Sequence, residues 1–258
     1  MNPEASRSEE TTAIILLVIT SIVLPFIPEI VVWVLAIVQI LLLICAIARR
    51  DWNTVHLGIL ICSLTVFSVI PGTRRWPWVL IVPVLFYWAL LLSFRPLRLT
   101  TTWLRVGRPT LPIWIVAGGV AVGSAVSLLL WFKLARPDVS EKAGLIPQWS
   151  TARLVLLGLG FALFNAAMEE MIWRGVVFDA LQRTGLRAAS VVLLQAISFG
   201  VIHLHGFPSG SLGILLASAY GVILGLLRAQ TRGLLVPFVT HAVTDFSIFG
   251  ILVYLAHD

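Results

Sequence analysis

The chain has 258 residues, 59% of them apolar and only 12% charged, with a formal net charge of +6. That balance excludes both a soluble globular domain and a disordered chain. The positive charge is not a nucleic-acid signal either, because the arginines sit in short links between apolar runs, where membrane topology puts them.

A helix needs about 20 apolar residues to cross the hydrocarbon core. Nine such segments are predicted, each bounded by Pro, Gly or Arg: 12 to 27, 29 to 48, 54 to 71, 77 to 94, 111 to 132, 151 to 170 with a continuation to 183, 187 to 204, 212 to 229 and 233 to 256. The fold class expected is all-α, a polytopic transmembrane bundle of about eight to nine spanning helices. The first two segments form a tight hairpin around Pro25 and Pro28, readable as two spans or as one re-entrant pair. The first begins after the acidic stretch ASRSEE with no small-residue cleavage site behind it, which reads as a retained helix. No lipidation box is read at the YLAHD end. Trp76, Trp78, Trp103, Trp114, Trp131 and Trp149 fall near predicted ends, as an aromatic belt would. Cys45 and Cys62 read as inert core residues, and His56 and His257, near helix ends, as interfacial.

Placing the N-terminus in the cytoplasm puts Arg7, Arg49, Arg50, Arg95, Arg98, Arg105, Arg108, Arg183, Arg187, Arg228 and Arg232 on the cytoplasmic side. That is eleven of the seventeen Lys and Arg residues other than Arg174, against six for the opposite side.

The chain divides at about residue 150. Residues 1–149 read as scaffold helices almost free of ionisable groups. Residues 150–258 read as the working part, where Glu169, Glu170, Arg174, His203, His205, His241 and Asp245 lie in or beside apolar helices. Ionisable groups there cost several kcal/mol unless paired or facing a wet cavity, so they mark function by default. Small residues, Gly158 with Gly160 and Gly221 with Gly225, allow close helix approach in the same half.

In EEMIWR, Glu170 and Arg174 are four apart on one helical face and can pair, which leaves Glu169, about 100° away, the less neutralised carboxylate. Phe199 and His203 share a face, as do His241 and Asp245. Folding the chain about Thr184, Gly185 and Leu186 sets Glu169 and His203 at nearly equal depth, facing each other within the membrane. A carboxylate in a low-dielectric pocket is a better general base for a water than an exposed one. His203 would help hold that water, His241 could donate to an oxyanion, and Asp245 would orient His241 through its ring N–H. Other residues have a structural reading, Glu170 with Arg174 as a buried ion pair, Phe199 as pocket wall and His205 as a solvated link residue, whereas Glu169, His203 and His241 on three helices would each cost stability without a function.

The three motifs in order, EExxxR at Glu169 to Arg174, FxxxH at Phe199 to His203 and HxxxD at His241 to Asp245, resemble the CAAX protease and bacteriocin-processing (CPBP) family. These are intramembrane endopeptidases that include the Ras-converting enzyme. The resemblance covers about residues 150 to 253. It implies Glu169 and His203 as activators of the hydrolytic water, His241 and Asp245 as the oxyanion site, and Glu170 and Arg174 as organisers. The last motif position is Asp245 where the Ras-converting branch has Asn. No cofactor is expected, although Glu169, His203 and His241 are ligand-type residues able to take zinc; HExxH is absent. The expected activity is hydrolysis of a peptide bond of a membrane-associated or lipidated substrate by a multi-pass protein of the cell membrane. Its partners would be membrane lipid and a peptide or protein substrate, not nucleic acid. A non-catalytic scaffold or bacteriocin-immunity protein of the same fold, and a proton-relay transporter, are the rival readings. Sequence carries no signal for substrate identity or oligomeric state.

Overall fold

The computed structural model describes residues 3–138 and 140–257. Among them all regular structure is helical. The long elements are α1 (Pro3–Val23), α2 (Glu29–Ala48), α3 (Trp52–Phe67), α4 (Trp78–Ser93), α6 (Leu111–Ala135), α8 (Thr151–Glu170), α10 (Ala188–Val201), α11 (Gly210–Thr231) and α12 (Leu235–His257). Short helices α5 (Arg95–Thr100), α7 (Ser140–Ala143) and α9 (Phe178–Arg183) join them. Six helical stretches are long and apolar enough to cross a membrane, and three shorter apolar ones, Trp52–Phe67, Trp78–Ser93 and Ala188–Leu204, accompany them. Together they correspond to the nine expected segments, so the all-α bundle is borne out.

Local chemistry explains the boundaries. Asp51 caps α3, its side chain accepting from the Thr54 N–H at 3.2 Å. Pro112 opens α6, where its missing N–H has no intrahelical partner to lose. Gly185, with φ of +77°, turns the chain from α9 into α10 as the helix-stop reading expected. Between α1 and α2 the chain makes one 3-10 turn, Leu24–Phe26, so these two are separate full-length helices.

From α8 to α9 the helix does not end. It continues through a π-helical segment, Met171–Val177, whose wider turns carry Arg174 and Gly175. Gly175 is needed there: a Cβ would lie 2.9 Å from Trp103 Cε3. Such insertions concentrate at functional sites because they re-aim side chains.

The buried core joins both halves. Ile14 and Leu17 of α1, Leu57 and Leu60 of α3 and Tyr87 of α4 pack in one cluster with Ile172, Phe178, Leu181 and Phe199. α1 contacts α3 and α10, α8 lies along α12, and α6 covers α12. The outer faces of α2 and α6 present Ile30, Val34, Leu41, Ile115, Val122 and Leu134, a lipid-facing surface no water-exposed monomer would carry.

Expectations for four single residues fail here. Trp103 and Trp131 are buried, not interfacial; Trp103 donates its indole N–H to Tyr87 Oη at 2.9 Å. His56 is buried too, 2.7 Å from Tyr87 Oη and 3.1 Å from the Leu97 carbonyl, because a tertiary partner satisfies both ring nitrogens. Cys45 is exposed on the lipid side of α2, whereas Cys62 is buried. The His257 side chain lies outside the described residues.

Candidate active site

The site is built on α8, its π-helical continuation, α10 and α12. α8 and α12 approach closely because Gly158 lies against Phe246 and Phe249, and α10 meets α11 at Gly221, where a Cβ would come within 3.1 to 3.2 Å of Ala196 and Phe199. These contacts carry the polar side chains inward.

Arg174 is fully buried and donates from Nη1 to Glu170 Oε1 at 2.9 Å. The same oxygen stands 2.8 Å from His241 Nδ1. A carboxylate only accepts, so Nδ1 carries the proton. Glu170 therefore ties α8 to α12 through one oxygen shared by a guanidinium and an imidazole. This corrects the expectation for Asp245. Its Oδ1 is 3.5 Å from His241 Nε2, beyond good hydrogen-bond length, and the residue orienting the ring is Glu170.

Glu169 Oε2 lies 3.6 Å from His241 Nε2, on the same side as Asp245. Two carboxyl groups thus face one ring nitrogen. A proton on Nε2, or on one of the two carboxyls, is needed to keep a lone pair from meeting two anions. Asn165 holds the pair together: its Nδ2 donates to Glu169 Oε1 at 3.2 Å and to Asp245 Oδ2 at 3.0 Å. Sequence reasoning missed Asn165. Its signal was available, as an amide one helical turn before Glu169 in an otherwise apolar run.

Phe199 is the wall between the parts. Its ring centroid is 4.3 Å from the Arg174 guanidinium carbon, 4.8 Å from the His203 ring and 5.9 Å from the His241 ring. His203 Nδ1 is 3.1 Å from the Phe199 carbonyl, which can only accept, so Nε2 is left as a free acceptor. Among the described residues no hydrogen bond joins Glu169 to His203. Equal depth does not bring the two side chains into contact, and Phe199 stands beside His203 instead. His205 is exposed in the link that follows. Tyr220 closes the other side of His241, with ring centroids 5.6 Å apart and its hydroxyl donating to Thr244 at 3.0 Å.

The carboxylates differ in what they have left to offer. Glu170 is 2% exposed at its side chain and its Oε1 is shared by two donors. Glu169 is 9% exposed, and its Oε2 accepts no hydrogen bond among the described residues. Glu169 and His241 approach each other, but among the described residues no ion pair or hydrogen bond joins His203 to either, and no three His, Cys, Asp or Glu side chains stand as a metal-holding group.

Residues 151–247 match the family described as type II CAAX prenyl endopeptidase Rce1-like. No curated protein and no solved structure matches the chain. The family match falls on the stretch that carries the three motifs, and the resemblance read from them is borne out. The matched family is described as an endopeptidase family, and the six long apolar helices suit a multi-pass membrane protein.

Proposed function

We propose that this protein is a glutamate-dependent intramembrane endopeptidase of the cell membrane, in which Glu169 activates a water to cleave a peptide bond of a membrane-associated or lipidated substrate. The observation that carries this reading is the division of labour between neighbouring carboxylates. Glu170 is committed through Oε1 to both Arg174 and His241, and its Oε2 is sealed in the interior, while Glu169 is anchored through Oε1 and turns its more exposed Oε2 toward His241 Nε2.

Glu169 Oε2 takes a proton from the water as its oxygen attacks the scissile carbonyl carbon. The resulting oxyanion is stabilised by a proton on His241 Nε2, held in place because Glu170 fixes the opposite nitrogen. The C–N bond then breaks, and the proton held by Glu169 passes to the departing amine. His203, with Nε2 available as an acceptor, helps position the water. Arg174 pairs with Glu170 and holds it oriented, and Phe199 excludes bulk solvent. The 1–149 half supports this machinery through α1, α3 and α4, and the 150–258 half contains it.

The test is cleavage of membrane-anchored peptides, with and without a C-terminal isoprenoid, by purified protein in vesicles. Wild-type protein cleaves and Glu169→Gln does not, with the helical content of both unchanged. Equal cellular function from wild type and Glu169→Gln would instead favour a non-catalytic scaffold.

A further inference from the structure

A second polar cavity opens away from the site, between α9, α11 and the stretch 101–110. Its volume is about 170 Å³, and Arg105, Arg228 and Arg232 line it with Asp179, Gln182 and Phe178. Three guanidiniums face one carboxylate, and that carboxylate is already engaged: Asp179 lies 3.3 Å from Arg183 Nε and accepts from the Thr102 hydroxyl at 2.6 Å.

Arg228 is the informative residue. It is 4% exposed, yet among the described residues it pairs with no carboxylate. Its Nε donates to the Arg174 carbonyl at 2.9 Å and its Nη2 lies 3.5 Å from the Trp103 carbonyl, both neutral acceptors, and among the described residues no hydrogen bond is formed by Nη1. Two neutral acceptors do not compensate a guanidinium withdrawn from water. Arg105 and Arg232, both exposed at the mouth, form no ion pair among the described residues. Arg232 is fixed there by its left-handed backbone, φ +54°, at the end of α11.

We propose that this cavity binds a phosphate-bearing anion, held in a three-arginine clamp with Arg228 at its floor and Arg105 and Arg232 at its mouth. Guanidiniums pair with phosphate oxygens through two parallel N–H donors, and a phosphate would neutralise the buried charge that the protein leaves open. The cavity lies at the arginine-rich end of the bundle, the cytoplasmic end by the charge distribution. Anionic headgroups are concentrated in that leaflet, and basic pockets between helices there take lipid phosphates. Phe178, whose ring centroid is 5.7 Å from the Arg228 guanidinium carbon, walls the cavity beside that charge.

The experiment titrates full-length detergent-solubilised protein with phosphatidylglycerol, phosphatidylcholine or inorganic phosphate and counts bound molecules by native mass spectrometry. Wild-type protein should retain phosphatidylglycerol over phosphatidylcholine. The Arg105→Ala/Arg232→Ala variant, altered only at exposed positions, should bind on the order of tenfold more weakly. Arg187→Ala, which removes a charge from the same end outside the cavity, should bind as wild type does. If inorganic phosphate binds with the same arginine dependence and phosphatidylglycerol does not, the clamp holds and its ligand is a free phosphate compound. If neither ligand's binding changes in the double variant, or Arg187→Ala weakens it equally, the clamp does not exist.

Discussion

Glu170 Oε1 accepts from His241 Nδ1–H at 2.8 Å and so orients the ring, the role for which Asp245, one turn along the same helix as His241, is spaced. The consequence is a cross-helix lock. One oxygen is shared by Arg174 on the π-helical segment and His241 on α12, so neither helix can rotate without breaking a charge-assisted hydrogen bond. His241 Nε2 is thereby aimed at Glu169 and Asp245, where the proposed chemistry takes place.

The two adjacent carboxylates should answer differently to the same substitution. Glu169→Gln can keep the hydrogen bond from Asn165 through its amide oxygen, so the fold is retained, but the base is lost. Cleavage should fall by about 10²–10⁴-fold, read as kcat on a membrane-anchored peptide. Glu170→Gln leaves Arg174 buried without its carboxylate. Loss of about 3–5 kcal/mol is expected, seen as a lower unfolding temperature in detergent. Equal thermal shifts in the two variants would contradict this division.

Much of the framework was legible in the sequence, for reasons that hold within one helix. Spans follow from hydropathy, the Glu170–Arg174 pair from a four-residue spacing and the turn at Gly185 from a glycine stop. Relations between helices were not. Hairpin arithmetic fixes the height of Glu169 and His203 but not rotation about the helix axes, and the π-helical segment changes the angular phase between Glu170 and all that follows. Phe199 consequently stands between Arg174 and His203. His56 looked interfacial because Tyr87, its partner, lies 31 residues away.

A backbone contact outside the site should be as intolerant of substitution as the site itself. Arg108 N–H donates to the Thr231 carbonyl at 2.8 Å and Leu234 N–H to the Arg105 carbonyl at 2.7 Å, and Gly107 and Gly233 meet in between. A Cβ on Gly233 would sit 2.2 Å from the Gly107 Cα. Gly233→Ala should therefore destabilise by about 1–3 kcal/mol or more, measured by thermal unfolding, whereas Gly160→Ala, with open space around it, should change little.

Hydrolysis should persist in the presence of a strong chelator. Among the described residues no three His, Cys, Asp or Glu side chains stand as a metal-holding group, and His241 Nδ1 is occupied by Glu170. Incubation with EDTA followed by removal of the chelator should leave kcat on the anchored peptide unchanged. Loss of activity restored by zinc alone would show that these side chains rearrange to bind metal.

Asn165 should matter to rate without touching substrate. Its Nδ2 hydrogen-bonds both Glu169 and Asp245, and removing it frees two carboxyls to turn away from His241. Asn165→Ala should lower kcat by about 10²-fold through misplacement of the base, with KM little changed, since no substrate contact is lost. Asp245→Asn is the informative companion. Its amide oxygen can still accept from Asn165, and the change removes one of the two anions crowding His241 Nε2. Activity should survive this change far better than Asn165→Ala, and the pH–rate profile should move because one titrating carboxyl is gone. If Asn165→Ala raises KM and leaves kcat alone, Asn165 acts on substrate binding and not on Glu169.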